Sequence, residues 1–257
     1  MKRLLAACAV AMCVSAHATT FSTDFTDLWY NANESGWGAN VVQQDNVLFM
    51  TFFVYGTNGA STWYVAPATV NSAPSGFTFT GPLYQTNGPW FGGAFNPNAV
   101  TVRQVGTATF TGNAVDAATL VYSVDGVSVT KSLSRQTWRA DDLTGSYLGA
   151  TVGTYSGCAN NGYVEDPAIF TVTHTGTTIK IVAQSLINGA ICTYTGSYTQ
   201  AGRMGSSSGS LSCPTGSGSY TANEIETTIT ALNGRAGASF GGGCQWNGRF
   251  GGLFRGS

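Results

Sequence analysis

The chain has 257 residues, with 11 basic and 12 acidic side chains, a net charge of −1 and only 9% charged residues. So weak and balanced a charge excludes the basic footprint of a nucleic-acid-binding surface and a polybasic membrane patch. A surface this poor in charge has to be covered by Ser, Thr, Asn, Gln and Gly, which is the composition of an extracytoplasmic β protein.

The N-terminus reads as a secretory signal over residues 1–18. Lys2 and Arg3 precede an apolar run at 4–14, and Ala16-His17-Ala18 forms a small-x-small cleavage site. Cleavage near Ala18 leaves nine basic against 12 acidic residues, a net charge of −3. Leu5-Ala6-Ala7-Cys8 also has the form of a lipoprotein box, but seven residues before Cys8 leave almost no apolar region for the translocon. Beyond the signal no apolar run approaches the ~20 residues of a membrane helix, so no transmembrane segment is expected in the mature chain.

The mature sequence shows no apolar i, i+3, i+4 spacing over a helical length. Short alternating segments broken by Gly, Asn, Asp and Pro run throughout. The stretch 27–67 holds three of the six tryptophans. In it, strands at 46–55 and 61–66 flank a loop at 56–60 whose two glycines accommodate positive φ. The first strand is apolar on both faces, with Val47, Phe49 and Phe53 on one and Leu48, Met50, Phe52 and Val54 on the other, which predicts burial on both sides. Strands follow at 76–80, 100–104 and 107–111. Asp125-Gly126 between alternating runs predicts a type I′ turn that pairs Val124 with Val127 and Tyr122 with Val129, all four expected in the core.

Arg139-Ala140-Asp141-Asp142-Leu143 interrupts the apolar pattern, and the boundary between an N-terminal β domain (19–139) and a C-terminal β domain (140–257) is placed there. In the second half a turn at Thr175-Gly176 is expected to pair Val172 with Ile179 and Phe170 with Ile181. Strands at 192–199 and 208–213 flank a Gly/Ser-rich tip. A hairpin centred between Gly202 and Arg203 makes facing position numbers sum to 405, as those of Cys192 and Cys213 do. Four cysteines in an exported chain read as two disulfides with three possible connectivities. The register selects Cys192–Cys213 and leaves Cys158–Cys244, which ties the start of the domain to its last strand as in a sheet closed on itself.

The Gly-rich terminus at 241–254 alternates small and bulky residues, as suits a barrel seam. Without a following helix or P-loop lysine it is no phosphate cradle, and neither cofactor nor metal is expected. The fold expected is therefore all-β, two antiparallel meander domains, each a closed or nearly closed small barrel. One large β-sandwich is the alternative.

The densest chemistry is Glu34-Ser35-Gly36-Trp37-Gly38, with Trp29, Asn40 and Trp63 nearby. Indoles that stack on a sugar or ring, beside a carboxylate and amides, suit a small-molecule or glycan site. Glycine corners with buried indoles explain the same residues structurally. The run W-Y-N-x-N-E-S-G-W-G-x-N from Trp29, then Gln43-Gln44, Leu48-Phe49, the 63–67 run W-Y-V-A-P, Gly81-Pro82-Leu83-Tyr84, Phe95-Asn96-Pro97 and Val124-Asp125-Gly126-Val127 with Lys131 and Ser134-Arg135-Gln136, resembles a module of uncharacterised exported proteins of Gram-negative bacteria. The resemblance covers 27–138 and implies export and a shared fold. The module has no established activity, so it transfers no catalytic residue. The second half is only faintly similar to small avidin-like barrels.

Catalytic groups are few. His174 is the sole mature histidine and reads as a strand-end surface residue. Glu224 and Glu226 lie on one strand face, about 7 Å apart from the strand rise, within the range of paired glycosidase carboxylates. With Ile225 and Ile229 inward, both are expected to face solvent. The function expected is a secreted or periplasmic, non-enzymatic binding or surface-interaction protein, with its ligand at Trp29, Glu34, Trp37, Asn40 and Trp63. The alternatives are a hydrolase of carbohydrate or cell-envelope material acting through Glu34 or the Glu224/Glu226 pair, and a structural envelope component.

Overall fold

The structure is a computed structural model that describes residues 23–72 and 77–256. The expected signal, its cleavage near Ala18 and Cys8 lie outside the described residues. Among the described residues, sixteen antiparallel strands form two closed eight-stranded barrels, each a meander in which neighbours in sequence are neighbours in the sheet. The first comprises β1 (Asp27–Tyr30), β2 (Gly38–Gln44), β3 (Val47–Tyr55), β4 (Ser61–Ser72), β5 (Phe77–Asn87), β6 (Thr101–Gly112), β7 (Ala117–Val124) and β8 (Val127–Arg135). The second comprises β9 (Gly145–Ser156), β10 (Gly162–Thr175), β11 (Thr178–Ser185), β12 (Ile191–Ala201), β13 (Met204–Cys213), β14 (Gly216–Thr227), β15 (Ala231–Phe240) and β16 (Gln245–Gly256).

Large side chains fill the first barrel. Trp29, Leu48, Met50, Phe52, Phe79, Leu83, Phe110 and Leu120 have no exposed surface, and Phe25 plugs one end against Trp29, Phe79 and Phe110. Strand alternation aims these residues inward from every strand, because residues two apart share a face. That alternation corrects the expectation of a doubly buried β3. Leu48, Met50 and Phe52 face the lumen, whereas Phe49 and Phe53 stand on the outer wall about half exposed. A barrel has one interior, so the second apolar face meets solvent. The expected strands at 100–104 and 107–111 are one continuous β6, with a register shift against β5 at Leu83/Tyr84.

The Asp125-Gly126 turn has positive φ at both residues, as type I′ requires, and pairs Val124 with Val127 and Tyr122 with Val129. Core placement is corrected, however: Val127 is 66% exposed, and only Tyr122 and Val124 pack against the core, Tyr122 stacked on Phe52. The β10–β11 register is corrected too. The turn is Gly176-Thr177, with Gly176 at φ 58°, so Val172 faces Ile181 and Phe170 faces Ala183. Moving the turn by one residue shifts each partner by two and preserves the inward face.

The β12–β13 hairpin turns at Gly202-Arg203, and both disulfides, Cys192–Cys213 and Cys158–Cys244, are formed. Cys158 follows β9 and Cys244 precedes β16, the pair that closes the second barrel in a ladder from Gln245↔Ser156 to Gly256↔Ser146.

The turn at 202–203 sits against the base of the first barrel. The Gly202 and Arg203 N–H groups donate to Thr137 Oγ1 and Asp27 Oδ2, and the Arg203 guanidinium pairs with Asp24 and Glu226. A Cβ on Gly202, which is at φ 59°, would collide with Asp27. Asp27 also accepts from Arg135, whose guanidinium is buried, caps the backbone carbonyls of Asp24, Thr26 and Val115, and lies over the Trp29 ring. Burial pulls the Arg135 pKa down and the bond to Asp27 opposes it.

Candidate functional site

The structure distributes the five expected ligand residues over three environments. Trp29 is inside the first barrel with no exposed surface, and its indole donates to the Phe25 carbonyl. Glu34 and Trp37 sit on the loop between β1 and β2 at the opposite rim. Glu34 Oε2 accepts from Trp37 Nε1 at 2.9 Å and from Lys131 Nζ at 2.6 Å, and the ammonium lies 5.5 Å from the Trp37 ring centroid. The hydrogen bond from Lys131 lowers the Glu34 pKa below its ordinary value, against a smaller opposing effect of burial. A carboxylate held ionised in this way is poorly suited to protonate a leaving group.

Asn40 and Trp63 share the outer wall. Asn40 of β2 pairs with Thr51, and Trp63 of β4 pairs with Phe53, which faces Gly38. Trp63, Phe53 and Tyr55 are each about half exposed and line an open groove of about 410 Å³ with Gly36, Thr51 and Ser61. The Tyr55 hydroxyl donates to the Gly36 carbonyl at 2.8 Å, which fixes the 31–37 loop to the rim of the groove. Phe53 and Tyr55 also belong to the groove, although in the sequence Phe53 reads as core. Their spacing two apart from Thr51 already places them on one face.

Glu224 and Glu226 face the joint between the barrels, which corrects the expected solvent exposure. Glu224 pairs with Arg235 and accepts from Thr23, and Glu226 pairs with Arg203. The cause is a bulge: β14 loses register against β15 between Asn223 and Glu226, with Glu224 at φ 52°. Ile225 is buried as expected, but Ile229 lies beyond the strand and is 97% exposed. His174 is at a strand end yet faces inward, edge-on to Tyr198, with Nε2 buried and unpartnered among the described residues.

No family model and no curated protein matches the chain. Among solved structures it is similar to the isotype 1 transferrin binding protein B (TbpB) from serogroup B Neisseria meningitidis, at 10% identity and a TM-score of 0.26. The match covers 86% of this chain and 52% of that one, so the chain spans about half that protein's length. No helix among the described residues is long and apolar enough to cross a membrane, and the two disulfides are compatible with an oxidising compartment.

Proposed function

We propose that the protein is an exported, non-enzymatic binding protein, periplasmic or extracellular after cleavage near Ala18, that takes carbohydrate on the outer wall of its first barrel. The supporting observation is the Phe53–Trp63 cross-strand pair, which faces solvent while the barrel interior is complete without it. Exposed aromatic area of this kind is retained where something docks. Ring faces pack against sugar C–H groups, and the hydroxyls of Thr51 and Ser61 with the amide of Asn40 supply hydrogen bonds between and beside the rings. Among the described residues no charged side chain lines the groove, in keeping with a neutral ligand. The resemblance of 27–138 to an exported bacterial module agrees with the location.

Glycan-array binding of the secreted chain, followed by titration of the best glycan, tests this reading. Trp63→Ala is expected to reduce affinity at least tenfold while Glu34→Gln leaves it unchanged. Undiminished binding by Trp63→Ala would refute the site, and release of a cleaved glycan that stops in Glu34→Gln would establish the hydrolase alternative instead.

A further inference from the structure

The second barrel is built from the same strand count as the first but is not filled. Large residues such as Tyr198, Leu211 and Leu232 fill part of the lumen, but Ala168, Ala183, Ala222, Ala236 and Ala238 leave the rest open. The space left is a cup of about 300 Å³ opening at the end that carries both disulfides. It continues past Thr151, Tyr194, Ala238 and Trp246 into an inner chamber of about 40 Å³. A volume of this size lies at the lower end for small-molecule sites.

The walls are aromatic and held flat. Trp246 lies across Gly153 and Gly248, where any side chain would collide with its ring. Tyr194 packs edge-on to Tyr220, whose hydroxyl is fixed to Ser207 Oγ at 2.8 Å. Tyr155 and Phe240 frame the mouth beside the Cys192–Cys213 bridge. The polar groups converge on one side. Asp166 faces in from β10 and accepts from Ser185 Oγ at 2.6 Å through Oδ1, while Oδ2 has no partner among the described residues.

The Tyr194 hydroxyl also lacks a hydrogen-bond partner among the described residues. Burial first, then Tyr155 and Asp166, push its pKa up to about 12, so it is a neutral donor and acceptor. Among the described residues, no lysine, arginine or histidine lines the cup or the inner chamber, and Glu165 lies at the rim. A half-satisfied carboxylate without a basic partner, enclosed by ring faces, favours a cation, since aromatic quadrupoles and the carboxylate attract the same charge. An anion meets two carboxylates and no counter-charge.

We propose that this cup binds a small organic ammonium ion with an apolar body, the ammonium on Asp166 Oδ2 and the Tyr194 hydroxyl, and the body against Trp246 and the inner chamber. The disulfides at the mouth hold the cup open in the free protein, so little ordering is lost on binding. The site is separate from the outer wall of the first barrel.

The test is calorimetric titration of the full secreted chain with 2-phenylethylammonium, its neutral counterpart 2-phenylethanol and the anion phenylacetate, with tryptophan fluorescence as a second readout. Saturable binding of the ammonium is expected, at least tenfold tighter than the alcohol, with no binding of the anion. Asp166→Asn, which keeps the shape and the Ser185 contact, is expected to erase the preference for ammonium over alcohol. Ala183→Phe, which fills the cup, is expected to abolish binding of both with both disulfides still formed. Trp63→Ala is expected to change nothing here. Failure of all three probes to bind, equal binding of ammonium and phenylacetate, or an Asp166→Asn protein that retains the wild-type preference would each overturn the proposal; the last readout stands even if Ala183→Phe does not fold.

Discussion

The two barrels share strand number, meander order and closure, yet one is solid and the other hollow. In the first, Phe25, Trp29, Phe79 and Phe110 pack ring against ring and Phe52 stacks on Tyr122. In the second, larger residues such as Tyr198, Leu211 and Leu232 share the interior with Ala168, Ala183 and Ala238 on the wall of the cup, and two cross-links supplement the core. Stability in the first therefore comes from buried area, and in the second partly from covalent constraint on the unfolded chain. A barrel relieved of the need to fill its own interior is free to hold something else there.

The largest test of this contrast is removal of Cys158–Cys244, which spans 86 residues. Replacing both cysteines by serine is expected to cost about 4–5 kcal/mol by loop-closure entropy, against about 3 kcal/mol for the 21-residue Cys192–Cys213 loop. Denaturant unfolding under reducing conditions should lose the second barrel first. Next, Phe110→Ala in the solid barrel is expected to cost about 3–5 kcal/mol in the same measurement.

Overpacking sharpens the comparison: Ala66→Leu, fully buried in the first barrel, is expected to cost about 1–3 kcal/mol, and Ala238→Leu, on the wall of the cup, under about 1 kcal/mol. Equal costs would mean that the hollow is not usable space.

Titration separates the barrels at both ends of the pH scale. Tyr194 has its pKa raised to about 12 by burial, so its neutral form is favoured in the folded state. Its stabilisation is complete below pH 10 and is lost as pH rises from 10 towards 12, because the unfolded chain ionises first. Stability of Tyr194→Phe should fall less steeply over that window. In the first barrel the lowered pKa of Glu34 acts in the opposite direction, its contribution being present above the ordinary value of 4.5 and lost as pH falls below it. The smallest effect expected is therefore a shift of the Trp37 indole N–H resonance on acidification, absent in Glu34→Gln.

Much of this architecture is legible along the chain, because hairpins are local. Asp125-Gly126 fixes its own register, and the Gly202-Arg203 centre brings Cys192 and Cys213 opposite each other by counting alone. What is not legible depends on closure or on broken alternation. Phe49 and Phe53 look like core until the sheet curls and leaves one face outside. Glu224 looks solvent-facing until a bulge shifts the count by one. Glu34 and Lys131 are 97 residues apart and meet only because β1 closes on β8. The cup is written in what the inward positions lack, and a reading that looks for chemistry-bearing side chains passes over alanine and glycine.

The closure of the first barrel is itself narrow. The β1–β8 ladder holds two residue pairs, Trp29↔Arg135 and Tyr30↔Ser134, whereas β9 and β16 share a ladder along most of their lengths. The strength of this seam therefore rests on side chains more than on ladder hydrogen bonds. Arg135, bonded to three carbonyls, to Asp27 and to the ring of Trp29, works there as a rivet between strands that share few ladder pairs.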